Sequence, residues 1–161
     1  MQKSGSDNVP FIISIGITLA IGGVASFFTI SQISSWYIYL HKPSFNPPNW
    51  LFGPVWTALY IAIGIAAALV WQRRQQAAHF TTACRIYVLQ LVLNFSWSIV
   101  FFGMHQIGAA LAVIMALLVC IIINIVAFGK ISKAAAWLLV PYLAWVSFAT
   151  LLNFSIYVLN K

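Results

Sequence analysis

The sequence predicts an all-α membrane protein: a five-transmembrane-helix bundle with a long structured loop between helices 1 and 2. Three observations carry this. The 161-residue chain is 63% apolar and only 6% charged, with a mean hydropathy of +0.98, whereas soluble domains are roughly half apolar and about a quarter charged. The apolar residues fall into five runs, each near the roughly 20 residues that a helix needs to cross the hydrocarbon. Those runs are unbroken, unlike the alternating segments of about 10 residues that build a transmembrane barrel.

The spans are placed at 10–30, 50–71, 80–102, 107–128 and 134–157, as one transmembrane domain covering 1–161. The first follows a short polar stretch containing Lys3. It is too long for a signal-peptide core and has no small-residue cleavage pattern. Trp71-Gln-Arg-Arg-Gln-Gln supplies the second connection, Gly103-Met-His-Gln the third and Gly129-Lys-Ile-Ser-Lys the fourth. Connections this short force neighbouring helices antiparallel. The first connection, 31–49, is long, and Pro43, Pro47 and Pro48 stiffen it, as suits a lid or binding loop. With an odd number of spans and no internal repeat, a symmetric inverted-repeat transporter is disfavoured.

Charge sets the orientation. Lys3, Arg73, Arg74, Arg85, Lys130 and Lys133 fall on the N-terminal side, Lys42 and Lys161 on the other. In a bacterial inner membrane this split puts the N-terminus in the cytoplasm and the C-terminus and first loop outside. The net charge of +7 is too scattered to track nucleic acid, and anionic lipid headgroups of the bilayer are the better partner.

Much chemistry is missing. Asp7 is the one acidic residue, so neither a carboxylate acid–base pair nor a carboxylate relay within the spans exists. No conventional catalytic constellation is present, and no catalytic residue is assigned. His41, His79 and His105 sit at span ends or loops without a second ligand at helical spacing, so no metal site is assigned. His41 is either a ligand contact or simply solvated. Cys84 and Cys120 lack CxxC spacing and read as small apolar core residues, although spacing alone leaves a disulfide open.

Seven tryptophans exceed what an interfacial belt needs. Trp36, Trp71 and Trp137 fit the belt by position. Trp97 and Trp145 lie inside their spans, where an indole N–H must find a partner. In the third span Gln90, Asn94, Trp97, Ser98 and Phe101 share a face, as do Tyr142, Trp145, Ala149 and Asn153 in the fifth, with Pro141 freeing a carbonyl one turn earlier. Such faces point inward, either as interhelical hydrogen-bonding glue or as a ligand site. Gly103, Gly108 and Ala112 are small residues that permit close helix approach, at a dimer interface or within the protomer.

Three motifs are more specific. Trp36-Tyr37 is followed by Leu40-His-Lys-Pro-Ser-Phe-Asn-Pro-Pro-Asn-Trp50 and Gly53-Pro-Val-Trp56-Thr-Ala-Leu-Tyr60. The third span reads Leu93-Asn-Phe-Ser-Trp-Ser-Ile-Val-Phe-Phe-Gly103, and the fifth Leu139-Val-Pro-Tyr-Leu-Ala-Trp-Val-Ser-Phe-Ala-Thr-Leu-Leu-Asn153. In order, and over nearly the whole chain, this resembles the tryptophan-rich sensory protein / translocator protein family, also called the peripheral benzodiazepine receptor family. One departure is Phe45, where the family often has Trp.

The resemblance implies a five-helix bundle, commonly a homodimer, with a pocket closed by the first loop. It implies no required cofactor, with porphyrins such as protoporphyrin IX, sterols and benzodiazepine-type compounds as ligands. The implied role is tetrapyrrole sensing, transport or homeostasis. A light- and oxygen-dependent breakdown of porphyrin by pocket tryptophans is the alternative. Carried over by motif, the pocket comprises Tyr37, Pro47, Trp50, Phe52, Trp56, Asn94, Trp97, Ser98, Trp145 and Ala149. Lys42 is added as the cation nearest the lid, to pair with a propionate. Leu152, Tyr157 and Lys161 keep a proposed sterol pattern, which is weak evidence.

Overall fold

The computed structural model describes residues 8–161, so Lys3 and Asp7 lie outside the described residues. Among the described residues, five helices are long and apolar enough to cross a membrane. Helix α1 spans Val9–Ile33, α2 Asn49–Gln72, α3 Phe80–Ser98, α4 Ile107–Gly129, α5 Lys133–Leu138 and α6 Val140–Leu159, with α5 and α6 together making the fifth crossing. Proline marks the entries. Pro10 occupies the first turn of α1, where its missing N–H costs nothing, and Pro48, in extended conformation, precedes α2.

Three boundaries differ from the sequence reading, each for a local reason. Helix α1 runs on through Ile33, because nothing in Ser31-Gln32-Ile33 breaks a helix, and the loop begins at residue 34. The third crossing does not stay α-helical. Beyond Ser98 it widens into a π-helical turn at Ile99–Gly103, in which Met104 N donates to Ile99 O at 2.8 Å. The fifth crossing breaks at Leu139, because Pro141 has no N–H for the Trp137 carbonyl and its ring crowds that turn.

Around the bundle α1 packs on α2, α2 on α5 and α6, these on α4, α4 on α3, and α3 with its π-helical turn back on α1. Tyr142, Phe128, Ile63, Ile114, Leu117 and Ile121 fill the centre. Ile12, Ile13, Ile17, Val24 and Phe27 of α1 face outward with about half or more of their surface exposed, as apolar side chains do when lipid is the solvent. Arg73 Nη1 donates to Ile131 O at 3.3 Å, tying the α2–α3 turn to the α4–α5 turn. Arg73, Arg74, Lys130 and Lys133 therefore share one end of the bundle, opposite loop 1.

Candidate functional site

Small residues set how α1 meets α2. At Gly64 a Cβ would stand 2.7 Å from the Ile15 Cα and 2.9 Å from Thr18 Oγ1. Thr18 donates its hydroxyl to Tyr60 O at 2.8 Å, locking the two helices. One turn further along α1, a Cβ at Gly22 would overlap the Tyr60 ring, which occupies that gap. Beyond Tyr60 the interior opens into a cavity of about 530 Å³ bounded by α1, α2, α3 with its π-helical turn, α6 and loop 1. Gly23 and Gly53 line it, and a Cβ on either would meet nothing within 4 Å.

The walls are mostly aromatic and aliphatic. Helix α2 contributes Trp50, Phe52, Trp56 and Tyr60. Helix α3 and its π-helical turn contribute Trp97, Ser98, Phe101 and Phe102, and α6 contributes Ala149, Leu152, Asn153 and Ile156. Two amides fix this frame. Asn94 accepts from Tyr60 Oη at 2.6 Å and donates to Tyr142 Oη at 2.9 Å, linking α2, α3 and α6 beneath the cavity. Asn153 accepts from Trp97 Nε1 at 3.1 Å and donates to Ile107 O at 3.1 Å, linking α3, α4 and α6 beside it.

Loop 1 is fastened over the opening at several points. Buried Tyr37, in a short 3₁₀ turn at Tyr37–Tyr39, donates to Asn46 Oδ1 at 2.7 Å, and burial pushes its phenol up to about 12. The Asn160 amide clasps the His41 backbone, accepting from its N–H at 3.0 Å and donating to its carbonyl at 2.9 Å. Trp36 stacks on His105 at 4.3 Å, and His105 Nε2 donates to Gln32 Oε1 at 2.9 Å. His105 has φ 57, a left-handed conformation uncommon outside glycine. Phe45 packs edge-on against Phe148 at 6.2 Å.

Of the residues carried over by motif, Tyr37, Trp50, Phe52, Trp56, Trp97, Ser98 and Ala149 line the cavity together. Asn94, Pro47 and Trp145 do not. Asn94 is buried beneath the floor, and Trp145 stands behind Phe52 at a ring distance of 6.0 Å. Lys42 turns back onto its own loop, donating to Ile38 O at 3.3 Å and Leu40 O at 3.0 Å, with its ammonium 4.9 Å from the Tyr37 ring centre. Leu152, Tyr157 and Lys161 share no outward surface. Leu152 lines the cavity, while the Lys161 ammonium lies over the Tyr157 ring at 4.9 Å.

Several readings are corrected. The Trp36 ring is taken up by His105 and by Phe101 at 5.6 Å. Trp71 and Trp137 are exposed near span ends. Trp97 has the partner its depth requires, but the Trp145 Nε1 is buried with no hydrogen-bond partner among the described residues, as are both amide ends of Gln90 and Asn124. Gly108 faces Tyr157 within the protomer, where a Cβ would lie 2.9 Å from Cε2, and a Cβ at Gly103 would have Ile99 and Phe28 as neighbours. Both cysteines are free thiols, and Cys120 donates to Ile86 O at 3.6 Å.

The contribution of α1 to the cavity was missed. Thr18, Gly22, Ser26 and Thr29 recur at spacings of three and four in an otherwise aliphatic run. In a membrane helix that stripe of small and hydroxyl residues marks an inward face. Tyr60 and Asn160 were likewise not singled out. Tyr60 closes the motif that begins at Gly53, but no sequence signal reveals the pairing of Asn160 with His41.

Comparison with known proteins gives one answer. The chain is 46% identical to the tryptophan-rich protein TspO of Archaeoglobus fulgidus over 155 residues, covering 92% of this chain and 95% of that protein. It is 39% identical to the human translocator protein over 155 residues, covering 92% and 90%. It is 35% identical to the tryptophan-rich sensory protein of Cereibacter sphaeroides over 153 residues, covering 95% and 94%. Residues 14–159 match the TspO/MBR family as a whole. This five-crossing membrane protein, with its aromatic cavity under a clasped loop, belongs to the TspO/MBR family.

Proposed function

We propose that the protein binds porphyrins such as protoporphyrin IX, and other hydrophobic ligands including sterols and benzodiazepine-type compounds, in tetrapyrrole sensing, transport or homeostasis. The supporting observation is the cavity itself. Its volume of about 530 Å³ falls within the range of small-molecule sites, and an apolar, aromatic lining with a few fixed polar groups is what such sites have. Flat tryptophan and tyrosine faces suit a large polarizable ring. The names of two relatives, the translocator protein and the tryptophan-rich sensory protein, agree with a binding role.

Titration of the purified protein with protoporphyrin IX, followed by tryptophan quenching in the dark, tests the reading. Saturable binding lost on Ala149→Trp supports it, and unsaturable partitioning into detergent alone overturns it. Breakdown of porphyrin in light and oxygen is the second reading, favoured by Trp50, Trp56 and Trp97 on the wall. Trp56→Phe separates the two. A binder loses some affinity and leaves the bound ring equally photostable, whereas a degrading protein loses protein-specific bleaching at matched occupancy.

A propionate contact at Lys42 requires the ammonium to leave the Ile38 and Leu40 carbonyls. Equal loss of acid and diester porphyrin in Lys42→Gln rules it out. Homodimerisation is part of the same proposal, through the outward face of α4 at Ala112 and Ala116, and Ala112→Phe should lower the dimer fraction. The end of the bundle carrying Arg73, Arg74, Lys130 and Lys133 is assigned to the cytoplasm. Reporters in the 73–76 turn and after Lys161 should then fall on opposite sides.

A further inference from the structure

The hydrogen-bonding groups around the cavity wall divide into two kinds. On α1 and α2, three hydroxyls donate to carbonyls of their own helix: Ser26 to Gly23 O at 2.7 Å, Thr29 to Ala25 O at 3.1 Å and Thr57 to Gly53 O at 2.9 Å. Their protons are engaged, so they present lone pairs to the cavity and act as acceptors. The phenols of Tyr37 and Tyr60 donate to Asn46 and Asn94, and Asn153 is occupied at both ends of its amide.

Ser98 differs from all of these. It closes α3 where the π-helical turn begins, lines the cavity and is 8% exposed. A helical serine ordinarily returns its proton to the carbonyl four residues back, here that of Asn94, yet the Ser98 hydroxyl has no hydrogen-bond partner among the described residues. Unlike the fully buried amides of Gln90 and Asn124, this hydroxyl is open to the cavity, so a cavity ligand carrying an acceptor can take its proton. The remaining free donors are differently placed. The Trp50 indole and Asn49 amide belong to exposed residues at the start of α2, and the Trp56 indole lies on the α2 wall.

Among the described residues, the cavity lining contains no Lys, Arg, His, Asp or Glu. A carboxylate entering it would meet no counter-charge, so ionised groups have to stay at the rim. Resting on the reading of this cavity as a ligand site, we infer that Ser98 is its polar anchor. Its hydroxyl donates to a carbonyl-type acceptor on a neutral, otherwise apolar ligand. The hydroxyl oxygens on α1 and α2 receive whatever donor the same ligand carries, so the molecule is oriented with its acceptor toward α3.

Benzophenone and diphenylmethane provide the test, because they share two rings and differ in one carbonyl. Each is titrated into the full-length protein in detergent, with tryptophan quenching as the readout. Wild type should bind benzophenone more tightly. Ser98→Ala should weaken benzophenone about three- to tenfold, as loss of one neutral hydrogen bond does, and leave diphenylmethane within about twofold. Ser98→Thr, which keeps a hydroxyl, should retain the preference for the carbonyl. Trp56→Phe should weaken both probes together. An equal loss of both probes in Ser98→Ala, no loss of either, or disappearance of the preference in Trp56→Phe instead overturns the inference. If wild type binds neither probe nor protoporphyrin IX, the ligand-site reading falls and the inference with it.

Discussion

Two glycines of α2 show how differently the halves of this bundle are built. At Gly64 a Cβ would collide with the Ile15 backbone, whereas at Gly53, about three turns earlier, it would meet nothing within 4 Å. In the first half the missing side chain is replaced by another helix. There α1 and α2 are locked by Thr18 on Tyr60 O, and Tyr87 stacks on Phe128 at 5.8 Å between α3 and α4. In the second half the space is left open and lined with aromatic faces, and order comes from side-chain hydrogen bonds and the clasped loop. Glycine in a membrane helix therefore has no single meaning. Its neighbour across the gap decides whether it lets helices pack closely or leaves a cavity open.

The largest effect that would break this contrast is at Gly64. Gly64→Val should destabilise the protein by about 3 kcal/mol or prevent folding, because the opposing atoms are backbone and cannot yield. Gly53→Ala should shift stability by less than about 0.5 kcal/mol. Thermal unfolding in detergent measures both, and similar losses would show that the halves are packed alike.

The border between the halves is Asn94. Asn94→Leu leaves the buried hydroxyls of Tyr60 and Tyr142 without their shared partner and should cost about 1–3 kcal/mol. An unchanged Tm would mean that the amide is dispensable to the cavity floor.

A smaller change concerns the lid. Asn160→Ala removes both hydrogen bonds to the His41 backbone. On the proposed porphyrin binding, it should speed dissociation about threefold to tenfold with little loss of stability, by stopped-flow exchange. An unaltered rate would show that the loop is held elsewhere.

The smallest effect is with pH. Tyr37 is raised from its ordinary value of 10.0 to about 12, so its contribution to the closed lid is fully present below about pH 10. It is lost as pH rises through about 12. Porphyrin retention should be flat from pH 7 to 10, and a fall within that interval would contradict the burial of Tyr37.

The crossings were legible because lipid leaves a plain signature: long apolar runs, short polar turns and charges gathered at one end. What was not legible lies where the chain departs from a straight helix. Nothing in Ile99-Val-Phe-Phe-Gly103 announces a π-helical turn, because the extra backbone width is set by packing against α1 and α4. Pro141 gave a local signal, and the helix breaks two residues before it. At the site, the family resemblance supplied Tyr37, Trp50, Phe52, Trp56 and Trp97, which line the cavity. It placed Asn94 and Trp145 in the wall rather than behind it, since helical phase gives the direction of a side chain but not which neighbour stands in front. For Trp145 that neighbour is Phe52. Lys42 was read by charge, while its actual partners are carbonyls and an aromatic ring of its own loop, which sequence does not display.

The clasp between Asn160 and His41 joins positions 119 residues apart. Loop 1 leaves the ribosome long before the segment that holds it, and pairings of such separation form late. Until α6 has entered the bilayer and packed against α4, the cavity has neither its Ala149 wall nor its fastening. During insertion this protein is an open cup, and anything that delays the fifth crossing prolongs the interval in which lipid tails can enter the unfinished cavity.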